Sequence, residues 1–289
     1  MASLAQWVAG ARPRTLPTSV APVLAGWGAA EASGTAHWLR AWLAGLVALA
    51  LQVGVNYAND YSDGVRGTDA ARVGPLRLVG SGVAAPAAVR AAALISFAVA
   101  GLAGLFLVAL TGRWWLLALG AVCVGAAWCY TGGPRPYGYA GFGEVVVFVF
   151  FGLVAVLGTQ YVVGEQITAI GGWLALAVGS LSAAVLVVNN LRDIPTDAVA
   201  GKHTLAVRLG DRYTRTLYTV LVAVPFGVTL GLASARWAVL AGLLALPFVV
   251  VALRRVRRGE SGMALMPALR DTVLALFVWA AATAAALTW

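Results

Sequence analysis

Charged residues are scarce in this sequence, at 11% of 289 positions, against about 25% in a typical soluble domain. A soluble protein of this size needs a charged outer shell, and this chain cannot supply one. Hydrophobic residues make up 61% of the chain and the mean hydropathy is +0.86, so intrinsic disorder is excluded as well. Most of the chain is therefore expected to lie in a lipid bilayer.

Several sites of known chemistry are also missing. Cys123 and Cys129 both fall inside an apolar segment, where we expect neither a disulfide nor a metal ligand. The sequence has no glycine-rich nucleotide loop of the P-loop type and no zinc-ligand spacing. The first residues lack the basic start, apolar run and cleavage site of a signal peptide. These absences leave the acids and arginines as the candidates for chemistry.

The apolar residues form nine segments, each close to the length of about 20 residues that a membrane helix needs. The sequence therefore predicts an all-α integral membrane protein whose nine transmembrane helices form one domain over residues 1–289. The predicted segments are 16–31, 39–60, 88–110, 114–131, 143–163, 168–190, 213–232, 236–253 and 270–288.

The basic residues predict the orientation in the cell membrane. With the N-terminus in the cytoplasm, the Lys and Arg side chains divide 17 to 3 in favour of the cytoplasmic loops, as the positive-inside rule requires. In a soluble protein a net charge of +9 would indicate nucleic acid binding. Here it marks topology, and no nucleic acid partner is expected.

Acids cluster at the cytoplasmic ends of two predicted helices. In the segment NYANDYSDGVRGTD at 56–69, Asn56, Asn59, Asp60 and Asp63 have the spacing of one helix face. In NNLRDIPTD at 189–197, the same pattern recurs with Asn190, Asp193 and Asp197. We interpret the two clusters as a weak internal repeat, whose site lies on the cytoplasmic side.

Carboxylates beside hydrocarbon are costly, at about 2.5–3.5 kcal/mol for a charge at a helix centre. Divalent cations held between two such clusters would compensate that cost, and Mg²⁺ prefers carboxylates together with water and phosphate oxygens. Nearby arginines suit a phosphate or diphosphate. The alternative is that these are solvated loop acids paired with loop arginines. A further alternative is a transporter whose acids bind cations, although carriers usually place such acids near the membrane midplane.

The sequence resembles the UbiA superfamily of intramembrane prenyltransferases, and more narrowly its branch that prenylates 1,4-dihydroxy-2-naphthoate in menaquinone synthesis. The segments that carry the resemblance, in chain order, are RPRTLP (12–17), NYANDYSDGVRGTD (56–69), GPLRLVGSG (74–82), YTGGPRPYGYAGFGEVVVFVFFG (130–152) and NNLRDIPTDAVAGKHTLAVRLG (189–210). It implies nine helices around a central cavity, with Mg²⁺ and a polyprenyl diphosphate held by two Asp-rich motifs. The implied metal ligands are Asn59, Asp60, Asp63, Asp193 and Asp197.

One departure concerns the first motif. Many superfamily members carry a further Asp four residues after its second Asp, but here that position is Gly67 and the next acid is Asp69. The shift resembles the menaquinone branch and leaves the role of Asp69 open.

The implied reaction starts when the diphosphate leaves and an allylic cation forms. The ring of dihydroxynaphthoate then attacks the cation, and its carboxylate leaves as carbon dioxide. Tyr130 is expected to shelter the cation and joins the aspartates as a catalytic candidate. The alternative acceptors within the superfamily are 4-hydroxybenzoate, homogentisate and haem. The candidate substrate-binding residues are Asn56, Asn59, Arg72, Arg77, Arg135, Tyr137, Asn190 and Lys202.

Two further groups have alternative interpretations. Tyr130, Tyr137 and Tyr139 share an inner loop with Arg135, and interfacial anchoring explains these tyrosines as well as a substrate role does. Glu144 opens a predicted helix, where an acid can simply complement the helix dipole.

Overall fold

The structure, a computed structural model, describes residues 2–68 and 76–289. These residues form helices joined by turns, with no β-strand in the described ranges. Asp69 and the predicted substrate-binding residue Arg72 lie outside the described residues.

We number ten helices in chain order. They are α1 (Leu4–Ala11), α2 (Pro17–Glu31), α3 (Trp38–Arg66), α4 (Pro86–Thr111), α5 (Leu116–Cys129), α6 (Gly143–Gly164), α7 (Ala169–Val199), α8 (Leu205–Ala233), α9 (Trp237–Arg257) and α10 (Met266–Leu287).

Each of the nine predicted segments coincides with one helix, but nine membrane crossings are not confirmed. Within the described residues, seven helices are long and apolar enough to span a bilayer, namely α3, α4 and α6 to α10. Helices α2 and α5 have 15 and 14 residues. At 1.5 Å per residue, each falls short of the hydrocarbon thickness of about 30 Å.

Helix α1 was not predicted, although the sequence contains its start signal. Ser3 and Gln6 form a capping box, in which each side chain accepts a hydrogen bond from the backbone N–H of the other residue. Leu4 and Val8, one turn apart, are exposed, and Gly10 packs against Leu78 and Tyr57. The helix thus lies against α3 and turns an apolar strip outward.

Helix α7 forms the centre of the hydrophobic core. Its residues Leu174, Val178 and Leu181 are fully buried, and it packs against α2, α6, α8 and α10. Close approach to α6 depends on Gly152, because a Cβ there would lie 2.7 Å from the Ala175 carbonyl oxygen. Gly152 belongs to a π-helical stretch, Phe148–Leu157, and such stretches occur often at functional sites.

Both acidic helices extend further than predicted. Helix α3 continues to Arg66 and ends at Gly67, whose φ of 73° suits glycine. Helix α7 continues through Pro195 to Val199. Both acid clusters therefore stand on helices, which continue beyond the predicted segment ends at residues 60 and 190. The residues of each cluster therefore lie on one face of a helix.

Candidate functional site

A cavity of about 1670 Å³ lies between the helices on the side that carries both acid clusters. Polar side chains near the C-terminal ends of α3 and α7 line one part of it, and apolar side chains from earlier turns of these helices and from α6 line the rest. The apolar lining includes Leu51, Val55, Phe150, Phe151, Val154, Val185 and Leu186. The cavity therefore offers a polar region and an apolar region to one ligand.

Three residues of the first cluster reach the cavity: Asn56, Asn59 and Asp63. Asn59 Oδ1 accepts a hydrogen bond of 2.7 Å from the Thr131 hydroxyl. Asp63 is 3% exposed, and its Oδ1 accepts a hydrogen bond of 2.5 Å from the Tyr139 hydroxyl. The α3 face predicted from the spacing therefore lines the cavity at these three positions.

Asp63 also connects two distant parts of the chain. Its Oδ2 lies 3.6 Å from Arg77 Nη2 and 3.7 Å from Lys202 Nζ. Lys202 follows the second acid cluster after a short turn, so this contact brings the two Asp-rich segments to the same cavity. Lys202 Nζ also lies 4.6 Å from the ring centroid of Tyr139, in a cation–π contact.

Asp60 has a structural role, and its predicted role as a metal ligand stays a prediction. Its carboxylate accepts hydrogen bonds from the backbone N–H groups of Leu78 at 2.8 Å and Val79 at 2.9 Å, it is 0% exposed, and it is not among the residues lining the cavity. The reason is that the segment 76–82 packs onto this edge of α3, where its backbone supplies two donors. Asp60 thus holds the segment that carries Arg77.

The second cluster lines the cavity through Asn190, Asp193 and Asp197. Both carboxylate oxygens of Asp193 accept hydrogen bonds from the guanidinium of Arg192, at 2.7 and 2.5 Å. Arg192 also donates to the Asn189 side chain at 2.9 Å and lines the cavity. In the sequence, Arg192 counts only toward the basic excess that predicts topology, although its position next to Asp193 indicates a site residue.

Asn56 lines the cavity, and its amide nitrogen forms hydrogen bonds with the chain that precedes α2. Its Nδ2 donates to the Ala11 carbonyl oxygen at 2.8 Å and to Thr15 Oγ1 at 3.3 Å. These bonds hold the chain that leads into α2, so Asn56 has a structural role. Its substrate-binding role stays a prediction.

The aromatic candidates lie in the loop 130–142. Tyr130 lines the cavity and its ring packs edge-on against Tyr137 with centroids 5.5 Å apart. The Tyr137 hydroxyl donates to the Ala126 carbonyl oxygen at 2.6 Å, and burial raises the pKa of Tyr137 to about 12. Arg135 is exposed and does not line the cavity, so its substrate contact stays a prediction that this cavity does not support.

Tyr139 was left out of the predicted site, although it stands two residues from Tyr137 in the same loop. Burial, followed by the negative charge of Asp63, raises the pKa of the Tyr139 phenol. The hydroxyl therefore keeps its proton and donates to Asp63, so Tyr139 helps to orient that carboxylate.

The oxygen atoms on the cavity wall suit Mg²⁺, which also takes ligands from water and substrate, better than they suit a metal ion coordinated by protein side chains alone. Among the described residues, no group of three His, Cys, Asp or Glu side chains could hold a metal ion. Mg²⁺ commonly takes only one or two carboxylates and completes its shell with water and substrate phosphates. The oxygen donors on the cavity wall that suit such an ion are Asn59, Asp63, Asn190, Asp193 and Asp197.

Relatives of known name match over most of the chain, among them the following two. A Mycobacterium tuberculosis protein named 1,4-dihydroxy-2-naphthoate octaprenyltransferase is 58% identical over 290 residues, covering 100% of this chain and 99% of its own. An Escherichia coli protein of the same name is 38% identical, covering 92% of this chain and 90% of its own.

Solved structures share the fold. A UbiA homolog from Archaeoglobus fulgidus bound to DMAPP and Mg²⁺ has a TM-score of 0.64 at 17% identity, covering 98% of this chain and 99% of its own. The apo structure of a UbiA homolog from Aeropyrum pernix has a TM-score of 0.71 at 15% identity, covering 92% of this chain and 96% of its own. The helices and the family together make this a multi-pass membrane protein. The model of the UbiA prenyltransferase family matches residues 19–266, and the chain belongs to that family.

Proposed function

We propose that this protein transfers a polyprenyl group from polyprenyl diphosphate to 1,4-dihydroxy-2-naphthoate, releasing carbon dioxide and diphosphate and giving demethylmenaquinol for menaquinone synthesis. The observation that carries the proposal is the meeting of Asp63, Arg77 and Lys202 in a cavity that is otherwise largely apolar. The names of the full-length relatives support the choice of acceptor.

The polar part of the cavity suits the diphosphate. Arg77 and Lys202 supply positive charge, and the guanidinium of Arg77 offers several N–H donors to phosphate oxygens. The residues that would hold Mg²⁺ are Asn59, Asp63, Asp193 and Asp197. When bound, the metal neutralises charge on the departing diphosphate. A solved homolog with DMAPP and Mg²⁺ supports a divalent cation in this fold.

The apolar part of the cavity suits the isoprenoid chain and the reacting carbon. The C–O bond to the diphosphate breaks and leaves an allylic cation, which the ring face of Tyr130 can stabilise. The acceptor ring forms the new C–C bond, and the electron pair of its bond to the carboxyl carbon restores aromaticity as carbon dioxide leaves. The apolar walls exclude water, which would otherwise trap the cation.

The topology proposal rests on the charge distribution. We propose that α2 and α5 complete nine crossings as a single domain over residues 1–289. The N-terminus and the polar end of the cavity face the cytoplasm, where the 17-to-3 excess of basic residues falls. The long prenyl tail then extends toward membrane lipid.

An acceptor panel tests the proposal. The purified protein receives labelled polyprenyl diphosphate with dihydroxynaphthoate, 4-hydroxybenzoate or homogentisate, each with and without Mg²⁺. We expect prenylated product and released diphosphate only with the naphthoate and Mg²⁺. Product from another acceptor alone would identify a different UbiA-type enzyme. Ion flux in vesicles without diphosphate release would identify a transporter.

Variants of the acidic residues test the site. Asp63→Ala and Asp193→Ala should abolish turnover while the protein still inserts and folds, because each removes a proposed metal ligand from the cavity wall. The matched control is Asp211→Ala, since the exposed Asp211 pairs with Arg215 at 2.6 Å outside the cavity. Near-normal activity of either cavity variant at limiting Mg²⁺ would refute the metal assignment.

A further inference from the structure

Arg12 has an unusual backbone conformation at the edge of the cavity. It lies between α1 and the short 3₁₀ turn Pro13–Thr15, with φ 54° and ψ 66°. This left-handed region is uncommon for a residue other than glycine, and residues held there cluster at functional sites. The conformation sets the direction in which the Arg12 side chain leaves the chain.

Hydrogen bonds on both sides of Arg12 fix this conformation. Asn56 Nδ2 donates to the Ala11 carbonyl oxygen at 2.8 Å and to Thr15 Oγ1 at 3.3 Å. The Thr15 hydroxyl donates in turn to the Arg12 carbonyl oxygen at 2.9 Å. Helix α3 therefore positions Arg12 through the side chain of Asn56, while Tyr57 of the same helix holds α1 by donating to the Trp7 carbonyl oxygen at 2.8 Å.

The Arg12 side chain lines the cavity, and its Nη2 atom is buried without a hydrogen-bond partner. A buried donor on a charged group is costly when it stays unpaired. A guanidinium is best satisfied by a carboxylate or phosphate that accepts from two of its nitrogens. The cavity thus holds an arginine that is ready for an anionic ligand group.

The position of Arg12 favours a carboxylate over the diphosphate. Asn56, which anchors it, precedes Asp63 by seven residues on α3, so the two positions are about 10 Å apart along the helix axis. Arg77 and Lys202 already stand beside Asp63. An anionic group that binds Arg12 is therefore expected nearer to Asn56 than to Asp63 along α3. Of the two substrates in the proposed reaction, the prenyl donor has no anionic group besides its diphosphate, whereas the aromatic acceptor carries one carboxylate.

We propose that Arg12 binds the carboxylate of the aromatic acceptor and that Asn56 is the residue that positions Arg12 for this contact. The inference rests on the proposed function. Holding the carboxylate fixes the ring carbon that bears it against the allylic carbon. The carboxylate stays bound until the C–C bond has formed, and it then leaves as carbon dioxide.

The test compares two stable ligands that differ by the carboxylate, namely 1-hydroxy-2-naphthoate and 1-naphthol. Their dissociation constants are measured by calorimetry on the full-length protein in nanodiscs, so the readout does not depend on turnover. Arg12→Gln should weaken binding of 1-hydroxy-2-naphthoate by about 10-fold or more. Binding of 1-naphthol and the KM for prenyl diphosphate should stay unchanged. Arg90→Gln is the control, since Arg90 is exposed and outside the cavity lining.

Asn56→Leu provides an independent arm, because it removes both positioning bonds while the chain keeps its Arg12 guanidinium. It should reproduce the selective loss of carboxylate binding. If Arg12→Gln does not accumulate, Arg12→Lys decides the question, since it keeps the charge but lacks the planar fork and should still weaken only the carboxylated ligand.

Three results would overturn the inference: equal weakening of both ligands, a raised KM for prenyl diphosphate instead, or no change in binding. If the unmodified protein prenylates none of the acceptors, the proposed function fails. The ligand comparison then still decides whether Arg12 binds a carboxylate.

Discussion

Asn190 donates a hydrogen bond of 2.9 Å from its amide nitrogen to Oε1 of Glu144. Glu144 is 5% exposed and its second oxygen is buried without a partner, whereas Asn190 lines the cavity. Because the carboxylate engages the amide nitrogen, the amide oxygen of Asn190 is the atom that remains for a ligand. The acid at the start of α6 therefore has a function beyond its effect on the helix dipole.

Glu144→Leu should lower kcat for prenyl transfer by about 10-fold or more, because Asn190 loses the acceptor that orients its amide and a buried donor is left unpaired. Glu144→Gln keeps an acceptor oxygen at the same place and should retain most of the activity. Steady-state kinetics of the two variants checks this. Equal loss in both variants would contradict an orienting role and indicate that the charge of Glu144 itself is required.

Asp60→Ala should destabilise the protein by about 1–3 kcal/mol, since the backbone donors of Leu78 and Val79 would be left without their acceptor. The segment 76–82 should also become easier to cleave by protease. Thermal unfolding and limited proteolysis measure these effects. The apparent affinity for Mg²⁺ separates the two possible roles of Asp60. A purely structural role leaves the Mg²⁺ affinity unchanged, whereas a large loss of Mg²⁺ affinity with normal stability would confirm the predicted metal-ligand role of Asp60.

Gly152→Ala should destabilise the contact between α6 and α7, because its new methyl group would meet the Ala175 carbonyl oxygen and Gly179 Cα at 2.7 Å. Overpacking of this kind costs about 1–3 kcal/mol. The matched control is Gly158→Ala on the same helix, where a Cβ meets nothing within 4 Å. The control should be neutral or slightly stabilising, since alanine favours helices. Thermal unfolding in detergent compares the two variants, and equal melting temperatures would contradict the close packing.

The raised pKa of Tyr137, about 12 against a model-compound value of 10.0, predicts how stability depends on alkaline pH. A raised folded-state pKa means that the native protein favours the protonated phenol. The stability contributed by Tyr137 is therefore fully present below about pH 10 and is lost as the pH rises toward 12. Ultraviolet titration of tyrosinate should show a late step whose amplitude falls by one phenol in Tyr137→Phe, while the late titration of Tyr139 remains. An identical titration curve for the variant would contradict the buried, hydrogen-bonded phenol.

The sequence by itself determined the membrane environment, the position of every apolar segment and the helix faces that carry the acids. These features are local, since hydropathy depends on composition and the i, i+3, i+7 spacing depends only on the pitch of an α-helix. Helix α1 was equally accessible through its Ser3–Gln6 capping box. The resemblance to the UbiA family also placed Asn59, Asp60, Asp63, Asp193 and Asp197 in the predicted site, and all of them except Asp60 line one cavity.

Only the tertiary structure decided which polar side chains line the cavity and which form hydrogen bonds that hold other segments of the chain. Asp60 and Asp63 are one turn apart on α3, yet one binds the backbone of the 76–82 segment and the other meets Tyr139, Arg77 and Lys202. Arg135 lies outside the cavity, whereas Arg12 and Arg192 line it. The physical reason is that these roles depend on how loops dock across helices. That docking is set by contacts between residues far apart in the chain, which no local pattern of spacing or hydropathy encodes.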